Sequence, residues 1–99
     1  MHFEQVHLRL FYFLFLAFFV SACSITAPVQ EMSNARQSIR AATNANAENL
    51  ATNVLSEAKQ RLHSAMRELD AGEYEKARIL ALEAKHLALK AKQLAASKK

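Results

Sequence analysis

The chain has 99 residues, with 13 Lys or Arg against 9 Asp or Glu, one Gly, one Pro, one Cys and no Trp. That length holds at most one small domain, and a single Gly excludes a glycine-rich phosphate loop. A lone Cys excludes an intramolecular disulfide, the usual staple of small exported domains.

Two populations make up the apolar content. All six Phe (residues 3, 11, 13, 15, 18 and 19) precede Cys23, whereas beyond it Ala dominates, Leu comes second and Tyr74 is the single aromatic. Such a step marks a processing boundary rather than a domain boundary. Residues 1–9 carry one firm positive charge, Arg9, with His2, His7 and an opposing Glu4. Residues 10–20 form an apolar run too short to span ~30 Å of hydrocarbon but of the length of a signal-peptide core. It ends in "VSAC", residues 20–23. A retained short anchor and an ordinary secretory peptide are the alternatives to a lipoprotein signal.

The VSAC stretch resembles the bacterial lipoprotein signal, an aliphatic residue and two small residues before a cysteine. That resemblance implies a diacylglyceryl group on the Cys23 thiol, cleavage between Ala22 and Cys23, and acylation of the new amino terminus. The chemistry suits these residues: Ser21 and Ala22 let an extended backbone enter a peptidase site, and a thiolate is the nucleophile that alkylation needs. One fatty chain binds a bilayer only marginally, whereas two or three hold firmly. In Gram-negative members an Asp after the cysteine commonly retains the protein in the inner membrane. Here the residue is Ser24, which implies the outer membrane and its periplasmic face.

The reading is therefore a signal peptide over 1–22, a lipidated cysteine and tether over 23–28, and an Ala-rich helical domain over 29–97. Pro28 suits the first turn of a helix. Met32, Ala35, Ile39 and Ala42 share one helix face, predicting a helix over 29–43. The pattern fails in "TNANAEN", where Asn and Thr compete for backbone hydrogen bonds, so a break or weak helix is expected between Thr43 and Asn53. Leu55, Ala58, Leu62, Ala65 and Leu69 then predict a helix over 53–71, with Met66 widening the stripe and Glu57–Arg61 as an i,i+4 pair. Gly72 suits the left-handed residue that closes a helix, and Glu73 and Glu75 favour the start of the next. Over 73–96, Ala77, Leu80, Ala84, Leu87, Ala91 and Leu94 form a stripe flanked by Ala81, Ala88 and Ala95. Doubling back at Gly72 makes the two stripes face each other. The fold class is all-α, an antiparallel helical hairpin, or a three-helix bundle if the first helix covers it.

"AGEYEKA" at 71–77 has weak similarity to the turn of a single tetratricopeptide-like hairpin, without a second repeat. The wider resemblance is to small bacterial envelope lipoproteins that carry an Ala-rich helical domain of unknown function. It rests on Cys23, Pro28, the AGEYEKA turn and "LALEAKHLALKAKQLA" at 80–95. This resemblance implies no activity.

No constellation points to an enzyme or a cofactor. His63 and His86 should be offset by about 7 Å along the hairpin, without a Cys, Asp or Glu at ligand spacing. Arg78, Lys85 and Lys92, seven apart, form a basic ridge that reads as a solvated face or as a surface for anionic lipid or peptidoglycan. Ile79, Leu82 and Leu89 lie off the main stripe; either the first helix covers them or they meet a second copy or an envelope protein. A periplasmic address argues against nucleic acid. The functional expectation is a non-enzymatic outer-membrane lipoprotein, membrane-bound through Cys23 and acting as adaptor or spacer. The rival is a peptidoglycan tether: murein lipoproteins, to which the chain has weaker similarity, attach through a terminal Lys, and Lys99 stands in that place.

Overall fold

The computed structural model describes residues 6–15 and 26–99. Residues 6–15 are helical, with their apolar side chains exposed. No helix among the described residues is long and apolar enough to cross a membrane. The Ala-rich region forms four helices, α1 (Val29–Asn44), α2 (Ala47–Leu50), α3 (Thr52–Asp70) and α4 (Tyr74–Ser97), and no strand occurs among the described residues.

Each boundary has a local cause. Pro28 precedes α1, where its missing N–H leaves nothing unpaired, and its carbonyl accepts from the Met32 N–H at 3.0 Å. At the far end of α1 the Ala45 N–H is shared by the Ala41 and Ala42 carbonyls, and Asn46 turns left-handed at φ 67°. Asn is among the few L-residues that adopt this conformation readily. The expected break over residues 43–53 is thus a corner that still contains one helical turn, α2. Thr52 joins it to α3 by donating its hydroxyl to the Glu48 carbonyl at 2.7 Å.

At the other end, Gly72 has φ 79°. Its N–H reaches the Leu69 carbonyl at 3.0 Å, and the Glu73 N–H reaches the Glu68 carbonyl at 2.9 Å. These two bonds are those of a Schellman closure, which satisfies carbonyls that the end of α3 would otherwise orphan. The chain reverses there, so α3 and α4 form the expected antiparallel hairpin.

Helix α1 completes a three-helix arrangement, lying parallel to α4 and packing chiefly on it. The directions follow from the cross-links. Glu31 meets Arg78 near the start of both helices, Arg61 meets Glu83 across the hairpin, and Lys98 meets the Leu50 carbonyl at the opposite end. Helix α4 is therefore the central element, with a neighbour on each flank.

That position explains its Ala spine. Ala77, Ala81, Ala84, Ala88, Ala91 and Ala95 are fully buried, whereas Leu80, Leu87 and Leu94 are only half-buried. A methyl group lets two helices approach the same line on α4, and the bulkier leucines lie at the margin of the α3 contact. The larger buried groups gather in two clusters. Met32, Ala65 and Ala81, with Leu62, Leu69 and Leu80 against them, lie towards the Gly72 end. Ala42, Ala51, Leu55 and Ala91 anchor the other, with Ile39, Val54 and Leu94 around them.

Two details differ from the sequence expectation. Met66 is 39% exposed and does not widen the buried stripe. Arg61 pairs with Glu83 at 3.5 Å instead of with Glu57, because the hairpin brings a carboxylate of the next helix to its level.

Candidate functional site

Ala22 and Cys23, the expected cleavage and lipidation positions, lie outside the described residues. From Thr26 onward the chain is held against the bundle. Pro28 is fully buried. Two residues earlier, the Thr26 carbonyl accepts a hydrogen bond from Arg78 Nη2 at 3.1 Å. The same guanidinium binds Glu31 through Nε at 3.3 Å and Glu75 through Nη1 at 2.8 Å. A planar guanidinium offers several donors in a fixed fork, so one side chain joins the pre-helical segment, α1 and α4. The Arg78 and Glu31 side chains are each 29% exposed, which shields this contact more than an open surface pair. The expected tether over residues 23–28 is thus fastened from Thr26 onward.

This fastening also divides the expected basic ridge. Arg78 is committed to its three partners. Lys85 is half-buried and faces an open groove of about 400 Å³ with Asn34, Gln37, Ser38 and Ala41 of α1. Lys92 is exposed. Heptad spacing puts the three on one line of α4, but α1 lies beside that line.

Cations are unevenly distributed along the bundle. The half away from Gly72 holds Arg40, Lys59, Lys90, Lys92, Lys98 and Lys99 against only Glu48 and Glu57. Lys59 is paired with Glu48 at 3.3 Å, and Lys98 donates to the Leu50 carbonyl at 2.8 Å. Around the Gly72 turn, by contrast, Glu68, Asp70, Glu73 and Glu75 outnumber Arg67, Lys76 and Arg78. Lys99, the expected cell-wall attachment residue, is exposed at the cationic end.

Ile79, Leu82 and Leu89 remain 50%, 39% and 38% exposed. Helix α1 does pack on the hairpin, yet it covers this line only in part; Leu89 borders the α1–α4 groove. His63 and His86 are both exposed. His86 borders an open groove of about 310 Å³ with Glu57, Arg61, Glu83 and Leu87. Among the described residues no three His, Cys, Asp or Glu side chains gather closely enough to hold a metal ion.

Sequence reasoning missed two features. The Arg78 clamp joins residues 47 and 52 positions apart, and no local pattern announces such contacts. A groove of about 340 Å³ lined by Asn49, Thr52, Asn53 and Lys98 forms where the α2–α3 corner meets the end of α4. Its Asn and Thr content was visible only as a helix break.

Residues 30–99 match the family described as a domain of unknown function, DUF4398, and the chain belongs to that family. No curated protein and no solved structure matches it.

Proposed function

We propose that this DUF4398 chain is a non-enzymatic lipoprotein of the bacterial outer membrane, anchored through Cys23, which presents its helical bundle to the periplasm as an adaptor or structural spacer. The anchor itself rests on the VSAC stretch and the apolar run before it. The observation that carries the presenting role is the Arg78–Thr26 contact. It fastens to the bundle the residue that stands three positions after Cys23. An anchor at Cys23 therefore holds the bundle by its Gly72 end. The opposite end stands about 36 Å away, the length of the 24-residue α4 at 1.5 Å per residue. Such a rigid standoff is what a spacer or adaptor needs.

Intact mass of the protein purified from membranes tests the anchor. Cleavage before Cys23 with added acyl mass is expected, and a Cys23→Ser variant should leave the membrane fraction. A wild-type protein that retains residues 1–22 or carries no acyl mass would sink the reading.

A second reading, attachment to peptidoglycan through Lys99, is favoured by the exposed position of that residue at the end away from Thr26. It predicts chains that carry a muropeptide mass after cell-wall digestion. Under the first reading, digestion leaves the mass unchanged.

A further inference from the structure

We propose that the Gly72 end of the bundle is a membrane-contact surface, seated in the interfacial zone of the bilayer by Val29, Met66 and Tyr74. This rests on the anchoring at Cys23 argued above. Three observations place the contact there.

The first is reach. Thr26 is fastened to this end by Arg78, and only Ser24 and Ile25 lie between it and Cys23, three residue steps away. Three residues span at most about 10 Å when extended, so a bundle held there cannot stand clear of the headgroups.

The second is where the large apolar groups are uncovered. Val29 is 66% exposed and Tyr74 38%, and they are the first residues of α1 and α4 at this same end. Met66, 39% exposed, lies one turn before the end of α3. Single exposed apolar residues need no explanation, but three at the anchored end form a pattern. At the opposite end Leu50, Val54 and Leu94 are half-buried, and the exposed Leu89 lies about two turns short of the end of α4. A Tyr with an apolar ring and a polar tip suits the headgroup level.

The third is charge. Six basic residues against two acids lie in the half away from Gly72, whereas around Gly72 four acids stand against three bases. Contact at the Gly72 end is therefore apolar and gains nothing from anionic lipid, which its slight excess of acids would repel weakly. Contact driven by the lysines would lay the bundle down, with its far end on the surface.

The chain contains no Trp, so single Trp reporters are unambiguous. The full lipidated chain, carrying Tyr74→Trp, Val29→Trp or the far-end control Thr52→Trp, is reconstituted into phosphatidylcholine vesicles with brominated acyl chains. Circular dichroism verifies that each variant is helical. Loss of fluorescence is expected for the two near-end reporters and not for the control. Adding phosphatidylglycerol should not strengthen the near-end quenching or transfer it to the control. Adding Arg78→Ala to the Tyr74→Trp chain should weaken its quenching while the lipid mass stays, because the fastening at Thr26 is gone. Equal quenching at all three positions, quenching at Thr52→Trp alone, or a shift to Thr52→Trp with anionic lipid would overturn the proposal. So would a lipidated chain with no reporter quenched. A chain without acyl mass overturns the anchoring reading and this proposal with it, so the two failures are told apart by mass.

Discussion

Replacing Gly72 separates a folded-back hairpin from a continuous rod, because the two architectures predict opposite signs. Gly72 sits at φ 79°, and a Cβ built on it meets nothing within 4 Å. The cost of Gly72→Ala is therefore conformational, with no clash to relieve. Holding an L-residue in the left-handed region costs roughly 1–2 kcal/mol. The lower entropy of an Ala-containing unfolded chain returns part of that, so a net loss of about 1 kcal/mol is expected. For a domain of this size that lowers Tm by about 4–8 °C. Gly72→Asn should lose less, since Asn tolerates the conformation, and Gly72→Val more, since β-branching makes positive φ a true outlier. Thermal melts followed by far-ultraviolet circular dichroism give the order. In a continuous helix the same Gly72→Ala change would raise stability by roughly 0.5–1 kcal/mol. A higher Tm for Gly72→Ala would refute the Schellman closure and restore the rod of the murein-tether reading.

Three further outcomes follow from the packing. Asn46→Gly should leave Tm nearly unchanged, because Gly fits φ 67° and only an exposed side-chain bond from Asn49 is lost, whereas Asn46→Val should cost about 1–2 kcal/mol in the same melts. Ala88→Leu inserts three carbons into the fully buried spine and should destabilise by about 1–3 kcal/mol; an unchanged melting curve would mean that α4 is not flanked on both sides. Changing Leu82 and Leu89 together to Lys should cost no more than about 1 kcal/mol, since both are already more than one-third exposed and a Lys stem replaces much of the buried contact. A collapse of the fold in that double variant would show that α1 depends on them.

Much of the architecture was legible because the signals were local. A lone Gly between two helical patterns marks a reversal, and the stripes at 55–69 and 77–94 locate the faces that meet. The left-handed position in the 43–53 break was less visible, because that stretch holds several Asn residues and only Asn46 adopts positive φ. Periodicity also could not rank Ala81, Ala88 and Ala95 against Leu80, Leu87 and Leu94. The two lines are adjacent on α4 and share the same 3-4 spacing. Their order is decided by how many neighbours α4 has, which is a tertiary fact: with helices on both sides, the smallest side chains take the innermost line.

Charge pairing shows the same limit more sharply, and it is where the fold meets the proposed role. Arg61 has a carboxylate at the favourable i,i+4 position, Glu57, yet turns to Glu83. Helix pairs of that kind are worth only about 0.2–0.5 kcal/mol, so a modest change in geometry redirects them. Arg78 has its own local partner, Glu75, and keeps it while adding Glu31 and the Thr26 carbonyl. The added partners come from the segment next to Cys23 and from α1, which sequence spacing cannot connect to residue 78. What looked like one member of a repeating basic ridge is thereby the residue that fastens the pre-helical Thr26 to α1 and α4. Lys85 and Lys92, at the same heptad position, have no such segment beside them. The chemistry of a residue on this Ala-rich rod is set less by its type or period than by which end of the bundle it occupies.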